Sequence, residues 1–138
     1  MIKGNLSRKR RHKFAAFLSL LSASLLGVSS VQANPVDPTV RCTTASHYGV
    51  GDGFHGRTTA NGEVFNAYEL TAAHRHLPFG TVLLVTNSSV DRKVRVRIND
   101  RGPFVAGKNL DLSYGAFKKI ADPRQGVVKV CYFEVAHP

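Results

Sequence analysis

The chain has 138 residues and a net charge of +10 at pH 7, from 19 Lys and Arg residues against nine Asp and Glu residues. This length allows one domain with a single core and excludes a chain of several domains. Six of the cations lie within residues 3–13, and residues 1–33 contain no acidic residue, so the remainder has a net charge of only +4. Because the remaining charge is mild and no nucleic-acid motif is present, we do not expect a nucleic-acid partner.

Residues 1–33 have the three parts of a secretory signal peptide: a basic start, an apolar run over residues 14–28, and small residues that end at Ala33. The apolar run is short for a membrane span. An arginine stands directly before Cys42, which is not typical of a lipid-attachment site. We therefore predict a protein exported to the periplasm or outside the cell, with no lipid anchor.

The two cysteines, Cys42 and Cys131, lie near the two ends of the predicted mature chain. In an oxidising compartment they would pair and close nearly the whole domain into a ring. A single catalytic thiol is the alternative, but neither cysteine stands in a nucleophile motif. Residues 34–41 contain two prolines and are predicted to be a flexible leader, and residues 42–138 are predicted to be the domain.

The predicted elements are mostly short strands separated by Gly and Pro turns. In chain order they are a strand at residues 45–48, a glycine-rich loop at 49–56, an ambiguous helix or strand at 70–76, a strand at 81–86, a strand at 94–98, an apolar segment at 110–112, a helix at 113–121 and a strand at 127–135. Asn66 and Glu69 have the spacing of a capping pair for a short helical turn. This pattern indicates a small β-barrel or sandwich with one or two short helices.

The strand at 94–98 alternates apolar residues with arginines and then meets the turn sequence Asn-Asp-Arg-Gly-Pro at 99–103. This places Asp100 beside a strand end, and Asp111 stands beside another. Loops at strand ends are common positions for catalytic groups. The simpler interpretation of Asp100 is that it caps its own turn by accepting a backbone N–H bond.

Three acidic residues remain as candidates for chemistry once those in turns are set aside: Glu63, Asp100 and Asp111. Glu134 stands in a predicted strand, where we expect it to face water. Cleavage of a glycosidic bond needs a carboxylic acid to protonate the leaving oxygen and usually a second group to assist at the sugar ring. The three candidates could supply both groups.

His74 and His76 would share a face of an extended strand, but no third ligand follows at a suitable spacing, so we predict no metal and no cofactor. His74 is better interpreted as a hydrogen-bonding partner of a carboxylate or a sugar hydroxyl. Basic and aromatic side chains near the same loops could hold an anionic sugar polymer, although a solvated strand face and core packing are the simpler interpretations. Those we expect to bind substrate are Tyr48, Arg97, Arg101 and Phe104.

Several separate blocks of the sequence, in the same order, resemble the rare-lipoprotein-A (RlpA) family. They are ASHYG at 45–49, FHGRTTANGEVF at 54–65, LTAAHR at 70–75, LPFGT at 77–81, VRINDRGPF at 96–104 and LDLS at 110–113. The resemblance implies a six-stranded double-psi β-barrel, as in expansins. It further implies a lytic transglycosylase that acts on peptidoglycan glycan strands, preferably those without stem peptides.

Carried onto this sequence, the essential groups of the family fall on Glu63, His74 and Asp100, and Asp111 matches an acidic position of expansins. The resemblance leads us to expect Asp100 as the general acid at the bond between N-acetylmuramic acid and N-acetylglucosamine. The same carboxylate or Glu63 would then accept the proton of the muramic C6 hydroxyl as it closes on C1. Asp111 would support the cleft or exchange roles with Asp100, and His74 would hold a carboxylate or the sugar.

The sequence departs from many family members because it shows no anchor motif and no septal peptidoglycan-binding domain, so the resemblance does not extend to septal recruitment, which stays open. We expect a monomer that binds glycan strands without a stable membrane anchor. Two other functions stay open at this point. One is an expansin-like module that binds wall polymer without cutting it, and the other is a hydrolase that uses water and leaves a reducing end.

Overall fold

The computed structural model describes residues 39–137, so the predicted signal peptide and residues 34–38 of the predicted leader lie outside the described residues. Within the described part, six strands form a closed barrel in the order β1-β5-β2-β4-β3-β6. The strands are β1 (Arg41–Tyr48), β2 (Thr71–His74), β3 (Val82–Asn87), β4 (Arg92–Asp100), β5 (Lys108–Ser113) and β6 (Val127–Ala136), and the helices are α1 (Tyr114–Ile120) and a 3-10 helix (Pro123–Gln125). No helix among residues 39–137 combines the length and apolar composition that crossing a membrane requires.

The barrel is mixed, because β1 pairs with β5 and β2 pairs with β4 in parallel, whereas the other four pairings are antiparallel. Parallel neighbours cannot be joined by a tight hairpin, so the chain must cross over between them. The crossovers bring loops from distant parts of the sequence to the same strand ends. Closure also leaves no unpaired sheet edge, which separates this barrel from the sandwich that the sequence left open.

The core follows from strand alternation. On β4 the buried residues are Val94, Val96 and Ile98, and they alternate with arginines that point away from the core. Helix α1 packs its buried Phe117 and Ile120 into the same core cluster. The predicted helix is confirmed, with Ser113 as the N-cap that accepts a bond from an amide in the first turn.

Three local predictions were wrong, and tertiary contacts explain the first two. Strand β4 continues to Asp100, through residues predicted as a turn. Glu134 does not face water, because it is 4% exposed, forms an ion pair with Arg41 and lies 2.8 Å from the His137 ring. Asn66 and Glu69 do not cap a helix, because this segment forms a turn.

The predicted disulfide is confirmed. Cys42 and Cys131 are directly opposite each other on β1 and β6, with Cα atoms 4.0 Å apart. The bond joins residues 89 positions apart and so closes most of the described chain into a loop. It therefore limits the conformational freedom of the unfolded chain.

Reduction of this disulfide is expected to lower the free energy of unfolding by about 4–5 kcal/mol, the loop-entropy value for a ring of this size. Urea unfolding with and without a thiol reductant measures the difference. The control is the double variant Cys42→Ser/Cys131→Ser, in which reductant should change nothing. An unfolding midpoint that reductant leaves unchanged in the unsubstituted protein would contradict the expectation.

Candidate active site

Glu63 lies on a short hairpin between Gly56 and Phe65 that folds against the end of β4. The Gly56 N–H donates to the Phe65 carbonyl at 2.8 Å and closes the base of the hairpin. Near the tip, the Asn61 N–H donates to the Asn99 carbonyl at 3.3 Å and ties the hairpin to β4. The acid predicted from the sequence is thus held by a strand that is more than 30 residues away in the chain.

The carboxylate of Glu63 is bound on both oxygens. The Arg97 guanidinium donates to Oε1 at 2.6 Å and to Oε2 at 2.9 Å, in a two-point ion pair. The side-chain amides of Asn61 and Asn99 add bonds of 2.9 and 3.2 Å. These donors, Arg97 foremost, lower the pKa of Glu63 to about 2. Glu63 is therefore an anion at neutral pH and does not donate a proton.

Asp100 accepts three hydrogen bonds from three parts of the chain. Its Oδ1 accepts from the backbone N–H groups of Ala60 at 3.0 Å and Arg101 at 2.9 Å, and its Oδ2 accepts from the Tyr48 hydroxyl at 3.2 Å. The Arg101 bond is the turn cap that the sequence suggested. The other two bonds join Asp100 to the Glu63 hairpin and to the end of β1, so the carboxylate also organises the site.

Asp111 has a different environment. It lies on β5 opposite Ser46 of β1, and its Oδ1 atom is buried without a hydrogen-bond partner. Burial raises the pKa of Asp111, and this outweighs a hydrogen bond from Ser46 and the positive charge of Lys108. A buried oxygen without a donor favours the neutral carboxylic acid, which needs fewer donors than the anion.

Asp100 and Asp111 lie on either side of β2, where both are register partners of Ala73. Since neighbouring strands are about 4.8 Å apart, their Cα atoms are about 10 Å apart across the sheet. The pKa of Tyr48 is raised, mainly by burial and then by the charges of Asp100, Asp111 and Asp52. The Tyr48 hydroxyl is therefore neutral and lies near both candidate carboxyl groups.

Aromatic packing fixes Tyr48 in this position. Its ring stacks on Phe65 with centroids 4.4 Å apart and planes 5° from parallel, and Phe54 meets its edge at 5.9 Å. Gly49 follows with φ of +108°, and a Cβ there would lie 2.6 Å from both the Phe65 ring and Ala67. A glycine is therefore required for the loop to leave β1 beside the stacked rings.

His74 is buried, with both ring nitrogens in hydrogen bonds. Its Nδ1 accepts from the backbone N–H groups of His76 at 3.1 Å and Leu77 at 3.0 Å, so the ring proton lies on Nε2, which is 3.3 Å from the Tyr132 hydroxyl. Burial, followed by nearby positive charges, lowers the pKa of His74 to about 4. These partners differ from the carboxylate or sugar expected from the sequence.

The turn that His74 shapes also holds Arg101. The Arg101 Nη1 atom donates to the carbonyls of His74 at 3.1 Å and Leu77 at 2.9 Å, and the guanidinium lies 3.7 Å from the centre of the Phe79 ring. Arg101 directly follows Asp100 in the chain. His74 therefore contacts the site through the turn and Arg101.

The loop after Asp100 is held by Arg75, which donates to the backbone carbonyls of Pro103, Val105 and Lys108. This anchoring leaves the Phe104 ring 79% exposed beside the site. The predicted substrate contacts thus differ in how accessible they are to a ligand. Phe104 is exposed, whereas the guanidinium of Arg101 forms hydrogen bonds within the protein. The Arg97 side chain is 38% exposed but is paired with Glu63.

The sequence analysis missed three residues that bind the candidate carboxyl groups. Asn61 and Asn99 bind Glu63, and Ser46 binds Asp111. Asn99 was assigned to a turn. In the structure it is 2% exposed at the end of β4, where its side-chain amide binds Glu63. A buried amide at a strand end would have been the signal for a polar partner. Within residues 39–137, no group of three metal-ligating side chains comes together.

A family model described as lytic transglycolase, of the double-psi β-barrel type, matches residues 40–132. The chain belongs to this RlpA-like family. The resemblance found in the sequence is therefore confirmed, and the match covers the strands from β1 into β6 together with Glu63, Asp100 and Asp111.

Curated RlpA relatives share the barrel region. The chain is 57% identical over 86 residues to the probable endolytic peptidoglycan transglycosylase RlpA of Nostoc sp., covering 62% of this chain and 23% of the relative. It is 56% identical over 78 residues to the protein of that name from Aquifex aeolicus, covering 56% and 34%. The endolytic peptidoglycan transglycosylase RlpA of Campylobacter jejuni is 56% identical over 70 residues, covering 51% and 26%. The matched region thus spans a quarter to a third of these relatives.

Solved structures confirm the fold. An expansin variant of Clavibacter michiganensis, in complex with cellohexaose, aligns with a TM-score of 0.58 and 24% identity over 72% of this chain and 52% of that one. A Streptomyces papain inhibitor aligns with a TM-score of 0.58 and 23% identity over 73% and 97%. The RlpA-like chain is therefore a six-stranded double-psi β-barrel, as the resemblance implied.

Proposed function

We propose that this RlpA-like domain is an exported peptidoglycan lytic transglycosylase. It cleaves the bond between N-acetylmuramic acid and N-acetylglucosamine in glycan strands and leaves a 1,6-anhydro end. The observation that supports this most is the pair of carboxyl groups on either side of β2. Asp111 is half-buried and its buried Oδ1 atom has no hydrogen-bond partner, whereas Asp100 accepts three hydrogen bonds. Two carboxyl groups in contrasting environments are suited to separate acid and base roles.

In this proposal Asp111 is the general acid, which exchanges the roles that the sequence suggested for Asp111 and Asp100. Burial raises the pKa of Asp111, so its carboxylic acid holds a proton at higher pH than an exposed aspartic acid does. That proton passes to the glycosidic oxygen as the bond from this oxygen to the muramic C1 atom breaks. The released sugar leaves with a C4 hydroxyl group.

Asp100 is the base. The muramic C6 oxygen bonds to C1 while its hydroxyl proton passes to Asp100, so the anhydro ring forms and no water is consumed. The Tyr48 hydroxyl donates to Asp100 Oδ2 and can turn towards the sugar while remaining neutral. The net result is one proton moved from Asp111 to Asp100, and exchange with solvent restores both groups.

Glu63 is assigned as a positioning residue. Its pKa of about 2 keeps it ionised, and Arg97 holds both of its oxygens. The ion pair fixes the hairpin whose Ala60 N–H binds Asp100, so Glu63 helps to hold the proposed base in position. The exposed Phe104 ring offers an apolar face for a sugar ring.

His74 is assigned as a positioning residue, since it shapes the turn that binds Arg101 beside Asp100. The disulfide that closes the domain also fits export, because disulfides persist in oxidising compartments. The shared name of the curated relatives, an endolytic peptidoglycan transglycosylase, supports the same activity for this chain.

A His74→Ala substitution is expected to lower the free energy of unfolding by about 2–4 kcal/mol, because buried donors and an acceptor lose their partner. The folded-state pKa of about 4 lies below the usual 6.5, so this histidine stabilises the fold fully above pH 6.5 and progressively less as the pH falls towards 4. Urea unfolding across this pH range should show a shallower pH dependence in the variant. His76→Ala, at an exposed neighbouring histidine, is the control and should keep most of the slope, because burial is the largest cause of the low His74 pKa and the His76 charge comes second. Equal slopes in His74→Ala and the unsubstituted protein would contradict the role.

The activity is tested by digesting purified glycan strands and separating the products by mass spectrometry. Products with 1,6-anhydromuramic ends support the proposal. Reducing ends would identify a hydrolase instead. Binding of strands without any product would identify the non-catalytic, expansin-like module.

A further inference from the structure

A second concave site lies on the outer surface of the barrel, around the disulfide. Its volume is about 630 Å³, within the size range of small-ligand sites. Six of its ten lining residues are polar, and the lining comes from β1, from the start of β5, from β6 and from the turn between β3 and β4. The polar residues that matter here are Thr44, Ser88, Ser89, Asn109 and Lys129.

This hollow is continuous with the candidate active site through the strand register. Tyr48, Ser46 and Thr44 occupy alternate positions of β1, whereas the intervening Ala45 is fully buried in the core. Tyr48 is in the active site, Ser46 bonds to Asp111, and Thr44 lines the hollow. From Tyr48 to Thr44 the strand rises by about 13 Å, which is longer than a disaccharide unit.

Strand β5 makes the same connection. Asp111 lies in the active site and Asn109, two residues earlier, lines the hollow. The register of the two parallel strands shifts between Thr44 and Ala45, and on both sides of this shift they carry polar side chains, with the proposed acid on one side and the hollow on the other. An extended polymer can lie along this track of polar side chains, and a compact ligand would occupy one end only.

The chemistry of the hollow favours an acidic sugar. The hydroxyl groups of Thr44, Ser88 and Ser89 and the amide of Asn109 suit sugar hydroxyl and acetamido groups. Lys129 supplies the single charged group in the lining, and no acidic residue accompanies it there. Lys129 forms no ion pair within the described part of the chain. Its ammonium group is thus available for a ligand carboxylate.

We propose that this hollow, named here the distal subsite and lined by Thr44, Asn109 and Lys129, binds the same glycan strand that the active site cleaves. It takes a muramic residue whose lactyl carboxylate is free and pairs this carboxylate with Lys129. The inference rests on the proposed function for the identity of the polymer. It explains selection for strands without stem peptides, because a peptide bond on the lactyl group removes the negative charge.

The test measures binding and cleavage separately. Binding is measured by titration calorimetry in a chain that carries Asp111→Asn, so that turnover does not interfere. The probes are glycan strands stripped of stem peptides, in a long form and in a disaccharide form, and the long strands after conversion of their carboxylates to methylamides. The variants are Lys129→Ala, Lys129→Glu and Thr44→Val, and the matched control is Lys119→Ala at an exposed lysine on α1.

Lys129→Ala should weaken binding of the long stripped strands about 10-fold, equal to about 1.4 kcal/mol, and Lys129→Glu should weaken it further. Thr44→Val should weaken the same binding to a lesser degree, and Lys119→Ala should leave it unchanged. Neither lysine change should affect the methylamide strands, which lack the charge. Lys129→Ala should weaken binding of the disaccharide less than that of the long strands, because the disaccharide occupies one end of the track only.

The distal subsite is overturned if Lys129→Ala binds long stripped strands as the parent does. It is also overturned if the loss is equal on all three probes, or if the parent fails to bind the long strands. Product analysis with Asp111 intact is a separate readout. Absence of anhydro ends there, with the Lys129 effect on binding retained, would reject the proposed activity and keep the subsite.

Discussion

An Asp111→Asn substitution is expected to lower the rate of release of anhydro-ended products by about 10²–10⁴-fold, the usual contribution of a general acid. Asparagine has nearly the same shape as aspartic acid but no acidic proton to transfer. The fold should be unaffected or slightly more stable at neutral pH, because a partly buried carboxylate with an unpartnered oxygen is removed. Initial rates on purified glycan strands and urea unfolding curves measure the two effects.

The pH dependence gives this prediction a second readout. The folded-state pKa of Asp111 lies above its usual value of 3.8, so the folded state binds more protons than the unfolded state between the two values. Stability from this group therefore decreases as the pH rises through that interval, and the rate decreases as the acid loses its proton. Both decreases should be absent from the variant.

Asp91→Asn is the matched control, because Asp91 lies on an exposed turn and makes only a loose 3.9 Å ion pair with Lys93. It should leave both the rate and the pH profile unchanged. If Asp111→Asn keeps the parental rate, Asp111 is not the general acid. If only Asp100→Asn shows a large loss of rate, the general acid is Asp100.

The second large effect concerns the ion pair of Glu63 with Arg97. Arg97→Gln is expected to lower the rate by about 10²-fold, since a displaced group near the reacting atoms costs about this much. Glu63→Gln should have a similar effect. If the two act as one unit, the double variant should be little worse than either single variant. A double-mutant cycle on initial rates measures this coupling.

The titration of Glu63 provides an independent check. Its folded-state pKa of about 2 lies below the usual 4.5, so the carboxylate stabilises the fold above pH 4.5, and this contribution is lost as the pH falls towards 2. In Arg97→Gln the pKa of Glu63, followed by carbon-13 NMR of the carboxyl group, should move up towards 4.5.

Arg95→Gln is the control for Arg97, because Arg95 is an exposed arginine two residues earlier on the same strand. It should change neither the rate nor the pKa of Glu63. Fully additive effects of Arg97→Gln and Glu63→Gln would show that the arginine acts on substrate independently of the carboxylate, as the sequence analysis first suggested.

Local features of the fold could be predicted because their causes lie within a few residues. Alternation of apolar and basic residues on β4 gave the strand and its inward face, and the hydroxyl at Ser113 gave the start of α1. The pairing of Cys42 with Cys131 followed from there being two cysteines in a chain predicted to be exported. The strand end at Asp100 was missed, because Asn99 is kept extended by Glu63, a partner 36 residues away.

The candidate site shows the same division. The sequence by itself determined which carboxyl groups are available, since Glu63, Asp100 and Asp111 stand next to turns and strand ends in blocks that resemble a known family. It could not determine their protonation or partners. The pairing of Arg97 with Glu63, the burial of Asp111 and the bonds of His74 depend on the barrel closing. Proton affinity is set by burial and by charges close in space, and the crossed strands of this barrel bring those groups together from distant parts of the chain.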